Sequence, residues 1–194
     1  MALSMGLLGA SLPGLDEDFV HLTTQVLSSS SSSFAFDNLT TYAAGYKHLQ
    51  LVVVGKALGS SSSDRLRVRV NGGTSSYPMH GIGTTGSSVV SGYGAAGAQD
   101  SNVITDRFSM YTGIHTAVVI DILDPFSTTK TKVLRCLSGH EQPGSGEPNI
   151  QLKDILFTST SQISNIAFSL GNTNWAQNSF EAGSRFSLFG LKAA

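Results

Sequence analysis

Charge is what this sequence has least of. Its 194 residues carry 12 Lys and Arg against 13 Asp and Glu, and 13% charged is about half the share usual for a soluble domain. The formal net charge of −1 removes any global electrostatic case for nucleic acid or an anionic membrane as partner. Basic residues are missing altogether before Lys47, whereas Asp16, Glu17, Asp18 and Asp37 fall in that stretch, so the first quarter is acidic. Cysteine occurs once, as Cys136, which excludes an intrachain disulfide. It lies in the apolar run Val133-Leu134-Arg135-Cys136-Leu137 with no activating base beside it, and reads as a buried, inert thiol. No run of about 18 apolar residues occurs, which excludes a membrane-spanning helix. No window combines a helical period with caps, which argues against a parallel α/β fold.

What the chain has instead is glycine (21 residues), serine and an apolar fraction of 40% arranged with a period of two. In Asp64-Arg65-Leu66-Arg67-Val68-Arg69-Val70-Asn71, the residues Leu66, Val68 and Val70 share one face and Arg65, Arg67 and Arg69 the other. A strand with one dry and one wet face belongs to an antiparallel sheet. Asn71-Gly72-Gly73 then supplies the positive-φ residues of a tight turn. Further strands are predicted over 22–27, 34–39, 48–58, 115–124, 130–137, 150–158, 163–170 and 184–191, with Gly55 a candidate bulge. The fold class expected is all-β, an antiparallel two-sheet sandwich of jelly-roll type, with a closed barrel as the less favoured alternative. Residues 1–33 read as an arm plus first strand and 34–194 as the sandwich. The start, 1–15, is apolar and small; Gly6, Gly9, Pro13 and Gly14 spoil a helix and no basic stretch marks a secretory signal. It reads as an extended arm that orders on a partner. The glycine- and serine-rich stretch 77–102 shows little strand signal and reads as a long functional loop or a flap lying on a neighbour.

Few motifs point to chemistry. Gly81-Ile82-Gly83-Thr84-Thr85-Gly86 matches a dinucleotide fingerprint in letters only, because no helix can start after it. The histidines His21, His48, His80, His115 and His140 form no metal-ligand spacing, and neither metal nor cofactor is expected. Glu141 and Glu147 flank a Pro-Gly-Ser-Gly loop, where solvation rather than acid–base catalysis is the default. No catalytic residue is expected. The row Arg65, Arg67 and Arg69 reads as a solvated sheet face, or as a contact for an acidic neighbour such as Asp16-Glu17-Asp18 of a second copy.

The order of several of these pieces resembles tailed-phage virion proteins. Gly45-Tyr46-Lys47-His48-Leu49-Gln50-Leu51, the strand and turn over 64–73, and then Tyr77 follow a theme common among them. The C-terminal stretches Ile163-Ser164-Asn165-Ile166 and 178–191 (Asn-Ser-Phe-Glu-Ala-Gly-Ser-Arg-Phe-Ser-Leu-Phe-Gly-Leu) are similar to family endings, with Phe189 where Tyr is usual and Leu191 where Ile is usual. The resemblance spans residues 34–192. It implies a jelly-roll virion protein, often a homotrimer, assembled in a host cytoplasm. It would serve as head decoration or cement on a major capsid protein, or as a tail fibre or appendage module contacting a host glycan or protein. It carries over no catalytic residue. The interface candidates are Leu3, Met5, Leu7 and Leu8 of the arm, the acidic Asp16, Glu17 and Asp18, and the basic Arg65, Arg67 and Arg69. Tyr77, His80 and Tyr93 of the long loop complete them.

Overall fold

A computed structural model of the chain describes residues 18–59, 63–73, 77–85, 88–94, 102–141, 149–171 and 175–192. Among these, twelve strands follow in chain order: β1 (Phe19–Val26), β2 (Ser33–Phe36), β3 (His48–Gly55), β4 (Ser63–Val70), β5 (Met79–Thr85), β6 (Ser88–Gly94), β7 (Val103–Ser109), β8 (Thr116–Leu123), β9 (Lys132–His140), β10 (Asn149–Phe157), β11 (Ile166–Leu170) and β12 (Arg185–Leu191). One short 3-10 turn, Leu39–Tyr42, is the helical element. The strands form two antiparallel sheets, eight in the order β1-β12-β3-β8-β9-β10-β5-β6 and four in the order β2-β11-β4-β7. The two-sheet, all-β sandwich expected from the alternation is what forms.

The alternation explains the core directly. Leu49, Leu51 and Val53 of β3, Val118, Ile120 and Ile122 of β8, and Phe186 and Leu188 of β12 all point inward from the large sheet. Leu66, Val68 and Val70 of β4 and Ile166, Phe168 and Leu170 of β11 meet them from the small one. Each such side chain contributes about 1.5–3 kcal/mol by leaving water. Cys136 is buried within this core, as its apolar run implies, and burial pushes its thiol pKa far up. Asn71 (φ 53°) and Gly72 (φ 67°) make the turn after β4, and Gly73 N–H closes it on the Val70 carbonyl at 3.0 Å.

Several expectations change. The stretch 77–102 is not a structureless loop among its described residues: β5 and β6 form a hairpin that extends the large sheet past β10. Strand signal is weak there because Gly81 and Gly83 stand where inward side chains would be. A Cβ on Gly81 would come within 2.7 Å of Lys153 Cγ, and one on Gly83 within 2.7 Å of the Ile150 carbonyl. Glycine therefore permits β5 to pair closely with β10. Gly55 marks no bulge; β3 stays in register with β8 through it, and a Cβ there would strike the Ser184 hydroxyl at 2.7 Å. The one register break in β1 lies between His21 and Thr23, on an exposed sheet edge where a bulge hinders further pairing. β1 itself, grouped with the arm in the sequence, is hydrogen-bonded along β12.

The far end of the large sheet carries polar residues inward. His140 pairs across strands with Asn149, and both are buried. His140 Nδ1 lies 3.4 Å from Thr116 Oγ1, while His140 Nε2 and both polar atoms of the Asn149 side chain have no hydrogen-bond partner among the described residues. Burial, helped by the nearby Arg107 charge, pulls the His140 pKa below its usual 6.5.

Two outcomes follow. Deleting 185–194 removes an interior strand that carries Phe186 and Leu188, so the truncated chain is expected not to fold; a soluble product that melts cooperatively would contradict this. His140 stays neutral in the fold while the unfolded chain gains a proton, so its contribution falls as pH drops below about 6.5 and levels off once the folded state also protonates. Urea midpoints between about pH 7.5 and 5 should fall less steeply for His140→Leu than for the parent; parallel slopes would contradict that assignment.

Candidate interaction surface

Near the β5–β10 boundary the large sheet inverts the usual pattern. Along β10, Asn149, Gln151 and Lys153 point inward and are buried, while Ile150 and Leu152 point outward. Their rungs continue across the sheet: Leu152 stands opposite Leu137 of β9 and Ile82 of β5, and Ile150 opposite Gly139 and Thr84. Ile82, Leu137, Ile150 and Leu152 are 58%, 52%, 60% and 43% exposed, and Val89 of β6, opposite Thr84, more so. A shallow apolar hollow of about 220 Å³ lies among these five side chains. An exposed contiguous apolar patch carries information that a lone exposed leucine does not.

The inward side of the same strands explains why the inversion is tolerated. Lys153 Nζ lies 2.7 Å from Asp106 Oδ2 of β7, the Gln151 amide donates to the same oxygen at 2.6 Å, and Asp106 N–H donates back to Gln151 Oε1 at 2.9 Å. Burial would raise the Asp106 pKa, but the Lys153 charge and these two donors outweigh it and hold the carboxyl below the ordinary carboxylate range. Gln151 and Lys153 are thus paired through Asp106, as burial demands, whereas Asn149 at the start of the strand is not.

A charged rung borders the apolar ones. Gln50 Nε2 donates to Asp121 Oδ1 at 2.8 Å, and Arg135 donates through Nε and Nη2 to Asp121 Oδ2 at 3.2 and 2.9 Å. Arg135 stands opposite Asp154, whose Oδ1 accepts the His80 backbone N–H at 3.1 Å and lies 3.8 Å from His80 Nδ1. Such exposed pairs add about 0–1 kcal/mol each; their larger effect is to edge the apolar face with fixed charge.

The sequence candidates are redistributed. Leu3, Met5, Leu7, Leu8, Asp16 and Glu17 lie outside the described residues. Asp18 is exposed, and its carbonyl accepts the Lys192 N–H at 3.0 Å. Arg67 corrects the reading of a basic stripe open to solvent or to a neighbour. It is 2% exposed, donating to the Gly171 carbonyl at 2.7 Å and to Asn102 Oδ1 at 2.8 Å. Arg69 is half-buried with its guanidinium 4.1 Å from the Trp175 ring centre, and Arg65 is half-buried too. The alternation named the correct face, but Gly171 accepts from Arg67 on it and Trp175 stands against Arg69. Tyr77 is also corrected from interface to core: it is 3% exposed, its ring edges onto Phe157 at 5.7 Å, and its hydroxyl accepts the Val70 N–H at 3.2 Å. His80 and Tyr93 pair across β5 and β6, which brings them to the border of the apolar face.

Ile82, Leu137, Ile150 and Leu152 went unnoticed in the sequence because alternating apolar residues read as inward. One signal was available. In β10 the apolar phase switches from even positions (150, 152) to odd ones (155, 157), so the two halves of one strand face their apolar residues in opposite directions.

Among the described residues no three His, Cys, Asp or Glu side chains stand close enough to share a metal ion. Comparison with protein-family models, with curated proteins and with solved structures finds no match for this chain.

Because Arg67 is spoken for inside the fold, its loss should act on stability. Arg67→Ala is expected to cost about 2–4 kcal/mol by orphaning its buried acceptors, read as a lowered melting temperature; an unchanged melt would contradict the buried placement.

Proposed function

We propose that this chain is a non-enzymatic virion structural protein of jelly-roll type, most simply a decoration or cement protein that docks on a phage head through the outer face of its large sheet. The observation that carries this reading is the inverted pattern on β9, β10 and β5, where apolar residues face out while Gln151 and Lys153 face in and pair with Asp106. A domain that placed Ile82, Leu137, Ile150 and Leu152 in water without use would forgo the stabilisation their burial offers. Covering them against a partner would return several kcal/mol at about 25 cal/mol per Å². The low charge, the acidic apolar start and the resemblance of residues 34–192 to tailed-phage virion proteins support the same reading, as does the expectation of a homotrimer repeated on a symmetric shell. A second reading, a tail appendage that contacts a host glycan, is favoured by one observation, a polar cleft where β3 begins and β8 ends.

The test is to count and locate the chain in purified particles, parent against Leu137→Thr/Leu152→Thr. Both positions are exposed and threonine suits a strand without placing like charges on one rung, so the variant should melt close to the parent. Hundreds of copies on the head, falling at least about tenfold in the variant through loss of buried apolar contact, are expected. A few dozen copies or fewer confined to the tail would favour the appendage, and undiminished head binding by the variant would remove the face from the account.

A further inference from the structure

A second concave site lies at the end of the sandwich where β3 begins, β8 ends and β9 begins. It is separated from the apolar face by several residues along the strands, at about 3.3 Å each. The cleft has a volume of about 390 Å³, within the range of small-ligand sites, and is lined by Tyr46, Lys47, Asp124, Phe126, Thr128 and Lys130 among others.

Its walls are fixed from beneath. The Tyr46 ring lies directly on the backbone of β12, and a Cβ on Gly190 would come within 2.4 Å of it, so glycine at 190 is what gives the ring its seat. Asp124 holds a positive φ of 47°, a conformation that costs energy in a residue other than glycine and so needs support from its surroundings. That support is present: its N–H donates to His48 Nδ1 at 3.1 Å and its Oδ2 accepts Lys130 Nζ at 2.7 Å. Ser127 Oγ accepts the N–H groups of Thr129 and Lys130 at 3.2 and 3.1 Å. Below the loop, buried Lys132 donates to the Ser127 and Thr160 carbonyls, both at 2.7 Å, and Gln162 donates to the Phe126 carbonyl at 2.9 Å.

The loop is therefore held internally while several groups on the cleft side stay unspent. Among the described residues, the Lys47 ammonium, the Tyr46 hydroxyl and the Thr128 hydroxyl have no hydrogen-bond partner. Two cations, Lys47 and Lys130, face one carboxylate, Asp124, which Lys130 already engages, so the open charge is positive and sits on Lys47. A braced aromatic ring suits the C–H face of a pyranose, hydroxyls and a carboxylate suit its alcohols, and a free ammonium suits an anionic substituent. The mostly polar lining disfavours an apolar ligand, and so small a group of cations disfavours nucleic acid.

We propose that this cleft binds a saccharide unit bearing a carboxylate, its ring against Tyr46 and its carboxylate on Lys47. This inference stands independently of the docking face and would hold for a chain on head or tail.

The test is an amide chemical-shift titration of the full chain with oligogalacturonate, with a neutral galactose oligomer and with acetate, repeated on Lys47→Gln. Lys47 is exposed, makes no hydrogen bond among the described residues and acts on Asp124 only through its charge, so that variant should keep the parent's fold and melt close to it. Saturable shifts confined to 43–47 and 124–130 with oligogalacturonate are expected. The affinity should fall about tenfold in Lys47→Gln, the loss of one charge-assisted contact. Equal affinity for the neutral oligomer would overturn the carboxylate assignment. Equal affinity for acetate would overturn the saccharide assignment, and no shift with any probe at millimolar concentration would overturn the site.

Discussion

Phe186 sits where the two sheets close on each other, and the rest of the architecture is arranged around that contact. Its ring stacks on Phe34 of β2 with centroids 4.0 Å apart, lies 6.1 Å from Phe168 of β11, and meets Phe180 edge-on at 5.2 Å. Phe180 passes the contact on to Phe108 of β7 at 5.8 Å. Rings from both sheets thus share one apolar cluster at the β12 side of the large sheet. Four strands cannot cover eight, and the constraint shows at the other side. There β7 reaches β10 through the polar set Asp106, Gln151 and Lys153 rather than through more apolar packing. Once polar groups fill the inner side of β10, its outward residues are Ile150 and Leu152, and an apolar outer face results.

This chain of causes also decides what was legible in the sequence. The strands nearest the aromatic cluster announced themselves, because β3, β8, β12 and the apolar positions of β4 each bury one clean face. The turn at Asn71-Gly72 was legible because positive φ at both positions demands those residue types. The β5–β6 hairpin was not, since Gly81 and Gly83 hold inward positions of β5 where they let backbones approach, and glycine carries no period. Arg67 was misread for a different reason. Periodicity assigns a face, but the Gly171 carbonyl, about 100 residues later, accepts from Arg67 on it, and that tertiary fact leaves no local trace.

The candidate sites were legible to a lesser degree. His80 and Tyr93 were singled out as loop residues and lie instead on paired strands beside the apolar face. Tyr46 and Lys47 stood in the run 45–51 that carries the family resemblance, and nothing local tells that Gly190, far along the chain, leaves room for the Tyr46 ring. The apolar face and the polar cleft use different chemistry on separate parts of one sheet. On the reading proposed, the face fixes the chain to a particle while the cleft stays open to solvent and to ligands.

The central claim, that the outer face of the large sheet is where this protein meets its partner, can be tested by hydroxyl-radical footprinting. The free chain would be compared with the chain assembled on purified particles. The account predicts that Ile82, Leu137, Ile150 and Leu152 lose most of their labelling on assembly while Tyr46 and Phe126 keep theirs. Undiminished labelling of those four aliphatic side chains in chain that is demonstrably particle-bound would contradict it.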